Sequence, residues 1–123
     1  MLELSNMKTP QAVRGLAALA QDTRLAIYRL LVQRGPSGLA AGAIARRLNL
    51  AGPTLSFHLK ELANAGMIGA RQQGRFVYYS ANYDQMNDLI GYLTENCCQG
   101  ACQPGGEPKR RLKRKSVARE ARL

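Results

Sequence analysis

All three cysteines of this 123-residue chain lie within six positions, Cys97-Cys98-Gln99-Gly100-Ala101-Cys102. Thiolates that close can converge on one soft, three-coordinate ion, because sulfur donors select thiophilic metals and metalloids and reject oxygen-loving ones. Adjacent side chains on a helix diverge by about 100°, so an intact helix cannot aim Cys97 and Cys98 at one point. The chain must unwind there, and Gly100 permits the turn that returns Cys102. An odd number of thiols argues against a closed disulfide framework. No cysteine sits in a phosphate-type loop ending in arginine, and no histidine lies nearby in sequence as a base. Cysteine-based turnover therefore lacks its parts, and the expectation is a binding protein rather than an enzyme.

Something must carry this cluster. At 13.5 kDa the chain suits one domain with a single modest core. No apolar run is long enough to span a membrane, and the first residues lack the basic-then-apolar pattern of a signal peptide, so the expected address is the cytoplasm, where thiols stay reduced. Residues 1–106 carry ten Lys/Arg against six Asp/Glu, and residues 107–123 carry eight against two, which divides the net charge of +10 into +4 and +6. A basic body with a more basic end suits a polyanion, most often nucleic acid.

Thr9-Pro10 reads as a helix start, with Val13, Leu16, Ala17 and Ala20 at helical spacing behind it. Asp22 is placed to cap a second helix that runs to Gly35-Pro36 and is apolar nearly all round, as a bundle centre would be. Leu39 to Leu48 reads as a third helix with Arg46-Arg47 outward. After a break at Asn49-Leu50-Ala51-Gly52, Pro53 opens a fourth, stopped by Gly66. Two short helices joined by about four residues outline a helix-turn-helix, whose second helix enters the major groove of DNA. The period then changes to two. Met67 to Arg71 and Phe76 to Ser80 read as strands around Gln72-Gln73-Gly74-Arg75, a hairpin in the position of a wing, with Arg71 and Arg75 within reach of phosphate or the minor groove. Met86, Leu89, Ile90 and Leu93 restore the helical period from about Asp84 to near Cys98. Residues 103–108 are linker chemistry, and Lys109 to Lys115 is a charge run expected to be disordered, with a solvating role or non-specific DNA affinity as its main readings and too few large apolar residues for a third, membrane binding.

Pro53-Thr54-Leu55-Ser56-Phe57-His58-Leu59-Lys60-Glu61-Leu62 contains S-x-H-L-x-x-L. Ala65-Gly66-Met67-Ile68 follows as A-G-(L/M)-(V/I), and Gly74-Arg75-Phe76-Val77-Tyr78-Tyr79 as G-R-x-x-x-Y. With the order of elements, over roughly residues 10–98, this resembles the ArsR/SmtB family of winged-helix metalloregulators. The resemblance implies a mostly α fold with a small β-hairpin: a homodimeric winged helix-turn-helix that reads an inverted repeat in double-stranded operator DNA. It implies a winged domain over 9–98 with dimerisation helices at both ends; the N-terminal arm over 1–8, the cysteine ligand segment over 97–102 and the flexible basic tail over 103–123 are read from the sequence itself. Val13 and Leu16 on the first helix, with Met86, Leu89, Ile90 and Leu93 on the last, would form the dimer interface. Thr54, Ser56, Phe57, His58 and Lys60 are candidates for DNA contact beside Arg71 and Arg75, through hydroxyl, ammonium and guanidinium donors. Two readings stay open for His58: DNA contact, or packing within the helix-turn-helix.

Many members of that family bind metalloid at E-L-C-x-C-D-L in the third helix. Here the two cysteine positions are Ala40 and Gly42, and the histidine set of zinc sensors on the last helix is missing too. An inorganic signal must therefore use Cys97, Cys98 and Cys102, an arrangement resembling the arsenical repressors with a C-terminal C-C-x-x-x-C site. Trivalent arsenic, as arsenite, fits three sulfur donors. Antimonite follows the same logic, and organic trivalent arsenicals need only two thiols. The rival signals are zinc or cadmium, for which a fourth ligand would have to be water, Glu95 or a partner residue, and oxidation of the clustered thiols.

Overall fold

Residues 7–100 are described from a computed structural model. The N-terminal arm before Met7, Cys102 and the basic tail lie outside the described residues.

Five helices and three short strands share one core. Helix α1 spans Thr9–Leu19 and α2 spans Asp22–Arg34. Strand β1 is Leu39–Ala40, followed by α3 (Ala41–Leu48) and α4 (Gly52–Asn64). Strands β2 (Ile68–Gln73) and β3 (Phe76–Ala81) precede α5 (Tyr83–Thr94), and a short 3₁₀ segment covers Cys97–Gly100. The mostly α class is as expected. Ile27 and Leu31 from α2, Ile44 from α3, Leu62 from α4 and Met67 are fully buried at the centre, so α2 supplies the middle of the core through one face. Its opposite side carries exposed Leu25 and Arg29, which corrects the expectation of a helix buried nearly all round.

Two helix starts differ in detail from expectation. Lys8, not Thr9, is the cap of α1, and the Gln11 side chain accepts the Lys8 N–H at 2.8 Å. Gln21, not Asp22, caps α2, its side chain accepting the Arg24 N–H at 2.9 Å, while Asp22 sits in the first turn where a carboxylate favours the helix dipole. The end of α4 is as expected. Gly66 takes φ +80°, its N–H bonds Ala63 O at 3.0 Å, and the Met67 N–H reaches Leu62 O at 3.0 Å. These two bonds close the last turn and point the chain into β2.

The hairpin is part of a three-stranded antiparallel sheet in the order β1-β3-β2. Leu39 and Ala40, expected to begin a helix, pair instead with Tyr79 and Tyr78. Gly38 makes the approach possible, because an added Cβ there would lie 2.4 Å from Tyr79 O, and its φ is +76°. The wing strands pair from Ile68↔Ala81 to Gln73↔Phe76, leaving Gly74-Arg75 as a two-residue turn shorter than the four residues expected. Helix α5 is capped by the Asn82 side chain on the Gln85 N–H and ends at Thr94, four residues short of Cys98.

Candidate nucleic-acid interface and cysteine segment

Helix α4 divides cleanly. Leu55, Leu59 and Leu62, at i, i+4 and i+7, fall on the buried side, while Thr54, Ser56, Phe57 and Lys60 are exposed along the other. Their hydroxyls, ammonium and aromatic edge thus form one continuous surface with the open N-terminal turn at Pro53. His58 does not share it. It is 8% exposed, and its Nδ1 lies 3.3 Å from Arg24 Nη1. A guanidinium only donates, so Nδ1 is the acceptor. Arg24 also donates from Nε to Ala18 O at 2.7 Å, which ties the end of α1, the start of α2 and the middle of α4 together. Of the two readings of His58, the structure supports packing, and the ring leaves the DNA-facing set because it is buried. Phe57 packs edge-on to it at 5.3 Å between ring centroids, yet keeps more than half its surface exposed.

The two wing arginines have different surroundings. Arg71 Nη2 donates to Ser37 O at 3.1 Å and to Gln73 Oε1 at 3.3 Å, and its guanidinium stands 5.4 Å from the Tyr78 ring centroid. It therefore braces β2 against the loop before β1. Arg75 is exposed at the hairpin tip. Sequence reasoning passes over Arg24, whose role depends on partners far away in sequence. It also leaves Arg46 and Arg47 out of the DNA-facing set, although their exposure in the last turn of α3 is legible in the helical period.

The residues assigned to a dimer interface separate into two groups. Val13, Leu16, Ile90 and Leu93 are between 42% and 59% exposed, a large apolar display for two neighbouring helices. Leu89 is buried inside the protomer, where it faces Gly15, and Met86 is half-buried. Leu89 is thus a packing residue of the single chain, turned inward by α5, whereas Met86 keeps part of its surface exposed. The Thr9 and Tyr92 hydroxyls are hydrogen-bonded, fastening the start of α1 to the last turn of α5.

Directly beyond that clasp the backbone leaves the helix. Asn96, Cys98 and Gln99 all take left-handed φ near 55–61°. The Cys97 and Cys98 sulfurs lie 3.5 Å apart, with Cys97 half-buried and Cys98 exposed. Cys102 lies outside the described residues, and among the described residues no group of three His, Cys, Asp or Glu side chains converges on a metal position. Where the family's metalloid site would stand, Ala40 lies in β1 and Gly42 in α3. No helix among the described residues is long and apolar enough to cross a membrane.

Helix, turn and exposed second helix followed by a strand hairpin define a winged helix-turn-helix, a DNA-binding fold. A helix-turn-helix domain model matches residues 19–68. The chain is 36% identical over 76 residues to the transcriptional repressor SdpR of Bacillus subtilis (strain 168), covering 62% of this chain and 81% of that one. It is 33% identical over 81 residues to the arsenical resistance operon repressor of the same organism, covering 66% and 73%. Among solved structures, a homodimeric winged helix-turn-helix DNA-binding domain from Mycobacterium bovis superposes with a TM-score of 0.57 at 28% identity, covering 80% of this chain and 94% of that one. The chain belongs to the ArsR family of winged-helix transcriptional regulators.

Proposed function

We propose that this chain is an arsenite-responsive repressor. It binds operator DNA as a homodimer and lets go when trivalent arsenic is held by Cys97, Cys98 and Cys102. The observation that carries the reading is the 3.5 Å approach of two adjacent sulfurs at the end of α5. Two sulfurs at that spacing, each about 2.3 Å from one ion as thiolate ligands typically are, subtend about 100° there. That angle suits a pyramidal three-sulfur site with a lone pair in the fourth direction. Antimonite and organic trivalent arsenicals satisfy the same donors.

Location supplies the mechanism. Exposed Ile90 and Leu93 on α5, with Val13 and Leu16 on α1, are the surface on which a second copy would sit. Two joined half-site contacts convert modest affinity into operator affinity. Closing three thiols around arsenic would draw residues 97–102 together at the foot of α5 and shift the spacing of the paired recognition helices. Release requires arsenic to bind the DNA-free conformation more tightly, by the about 1–3 kcal/mol typical of allosteric coupling.

The test is fluorescence anisotropy on a duplex selected from a random library, under reducing conditions. Wild type, Cys97→Ser, Cys98→Ser and Cys102→Ser are expected to bind it alike. Arsenite is expected to dissociate only the wild type. Operator affinity unmoved by saturating arsenite would reject the signal, and failure to select any duplex would reject the repressor.

A further inference from the structure

Between α2 and α5 runs a groove of about 400 Å³. Its walls are mainly apolar, from Leu25, Val32, Met86 and Ile90, with one cation beside them. Tyr28, on its α2 side, is 6% exposed, and its hydroxyl is buried without a hydrogen-bond partner among the described residues. That hydroxyl has essentially no accessible surface, so it lies behind the wall rather than in the groove. Arg29, the next residue, is an exposed cation on the same wall, and among the described residues no carboxylate lines the groove beside it. The volume lies within the range of about 300–1,000 Å³ typical of small-molecule sites. Unbranched methionine in the lining lets such a wall reshape around a guest.

We propose that this groove is a second effector site, distinct from the cysteines, for a small organic acid with an apolar body. The body lies against Leu25, Val32, Met86 and Ile90. The acid group pairs with Arg29. The groove abuts α5, so a guest there would push on the same helix that the cysteine segment terminates. Binding stands independently of the repressor reading, and only its consequence for DNA rests on that reading.

Decanoate and the anionic dye 8-anilinonaphthalene-1-sulfonate are suitable probes on the full chain without DNA. The expected result is saturable dye fluorescence at one site per protomer, displaced by decanoate. Arg29→Gln should weaken decanoate about tenfold while leaving displacement by uncharged octanol unchanged, as removal of one charge-assisted hydrogen bond implies. Tyr28→Phe, which removes a hydroxyl closed off from the groove, should leave decanoate binding unchanged. Gln33→Trp, at an exposed position on the rim, keeps the fold and should block both probes by laying an indole across the mouth. No saturable site, or one indifferent to Arg29→Gln and Gln33→Trp, overturns the proposal. So does binding seen only in a monomeric variant, because a second copy would then fill the groove. A decanoate site with unchanged DNA affinity would leave the pocket standing and remove its regulatory role.

Discussion

Arg24 shows how much of the DNA-reading machinery depends on side chains that never face DNA. It donates to Ala18 O and to His58 Nδ1, and so holds the recognition helix against the end of α1. Arg24→Ala leaves both acceptors unpaired and should cost about 1–3 kcal/mol, read as a lower urea midpoint. Lys60→Ala is expected to behave oppositely. Stability should be unchanged, operator affinity should fall, and the slope of log affinity against log salt should shrink by about one for each phosphate no longer neutralised. Tyr28 makes a prediction about pH. Burial, and secondarily the nearby Tyr83, raise its pKa above the ordinary value of 10.0. As pH rises past that value the unfolded chain releases the phenol proton while the folded chain keeps it, so stability falls with pH from there up to the folded pKa. Below that window the group contributes no pH dependence. Tyr28→Phe should flatten this alkaline decline in chemical denaturation curves and, by removing an unpaired hydroxyl, leave neutral-pH stability equal or slightly higher.

At the scale of elements, two glycines with similar backbones should respond differently to alanine. Gly66 (φ +80°) closes α4, and an added Cβ would find its nearest neighbour at 3.7 Å. Gly66→Ala should therefore cost only the left-handed backbone penalty, about 1–2 kcal/mol. At Gly38 (φ +76°) the same Cβ would stand 2.4 Å from Tyr79 O. Gly38→Ala adds a collision with β3 to that penalty and should lower the urea midpoint well beyond Gly66→Ala. The contrast also explains what sequence could and could not show. Pro53 and Gly66 bracket α4 by local chemistry, and the alternating run through Phe76 to Ser80 declares the wing. Strand β1 has two residues, too few for any period, and exists only because β3 lies beside it. The Arg24–His58 and Thr9–Tyr92 bonds join residues 34 and 83 positions apart, beyond any spacing rule. The helical period carries α5 four residues too far because nothing local in Glu95-Asn96-Cys97-Cys98 forbids continuation, although Asn96 does accept the left-handed conformation that ends it. In the site, thiol adjacency is legible in the sequence, whereas the inward turn of His58 and Leu89 needs the packed chain.

For the whole molecule, the proposed switch stands or falls on the joining of two copies through α1 and α5. Four apolar side chains from 42% to 59% exposed on helices fastened together by the Thr9–Tyr92 bond form one surface that water disfavours. A single protomer offers DNA one recognition helix and one wing, so operator affinity has to come from pairing. Leu93→Arg puts a charge at the most exposed of these four positions without disturbing the buried core. It should give a folded monomer in sedimentation velocity with an undiminished helical circular dichroism signal, and operator affinity should fall by about 10²-fold or more because only one half-site is then gripped. Arsenite supplies the decisive comparison. The monomer should still bind it through its own thiols, yet its residual affinity for a half-site should not change, because no partner helix remains to be repositioned. If the monomer's half-site binding weakened with arsenite as the dimer's does, the signal would travel within one chain, from α5 to α4, and the spacing of paired helices would have no part in it.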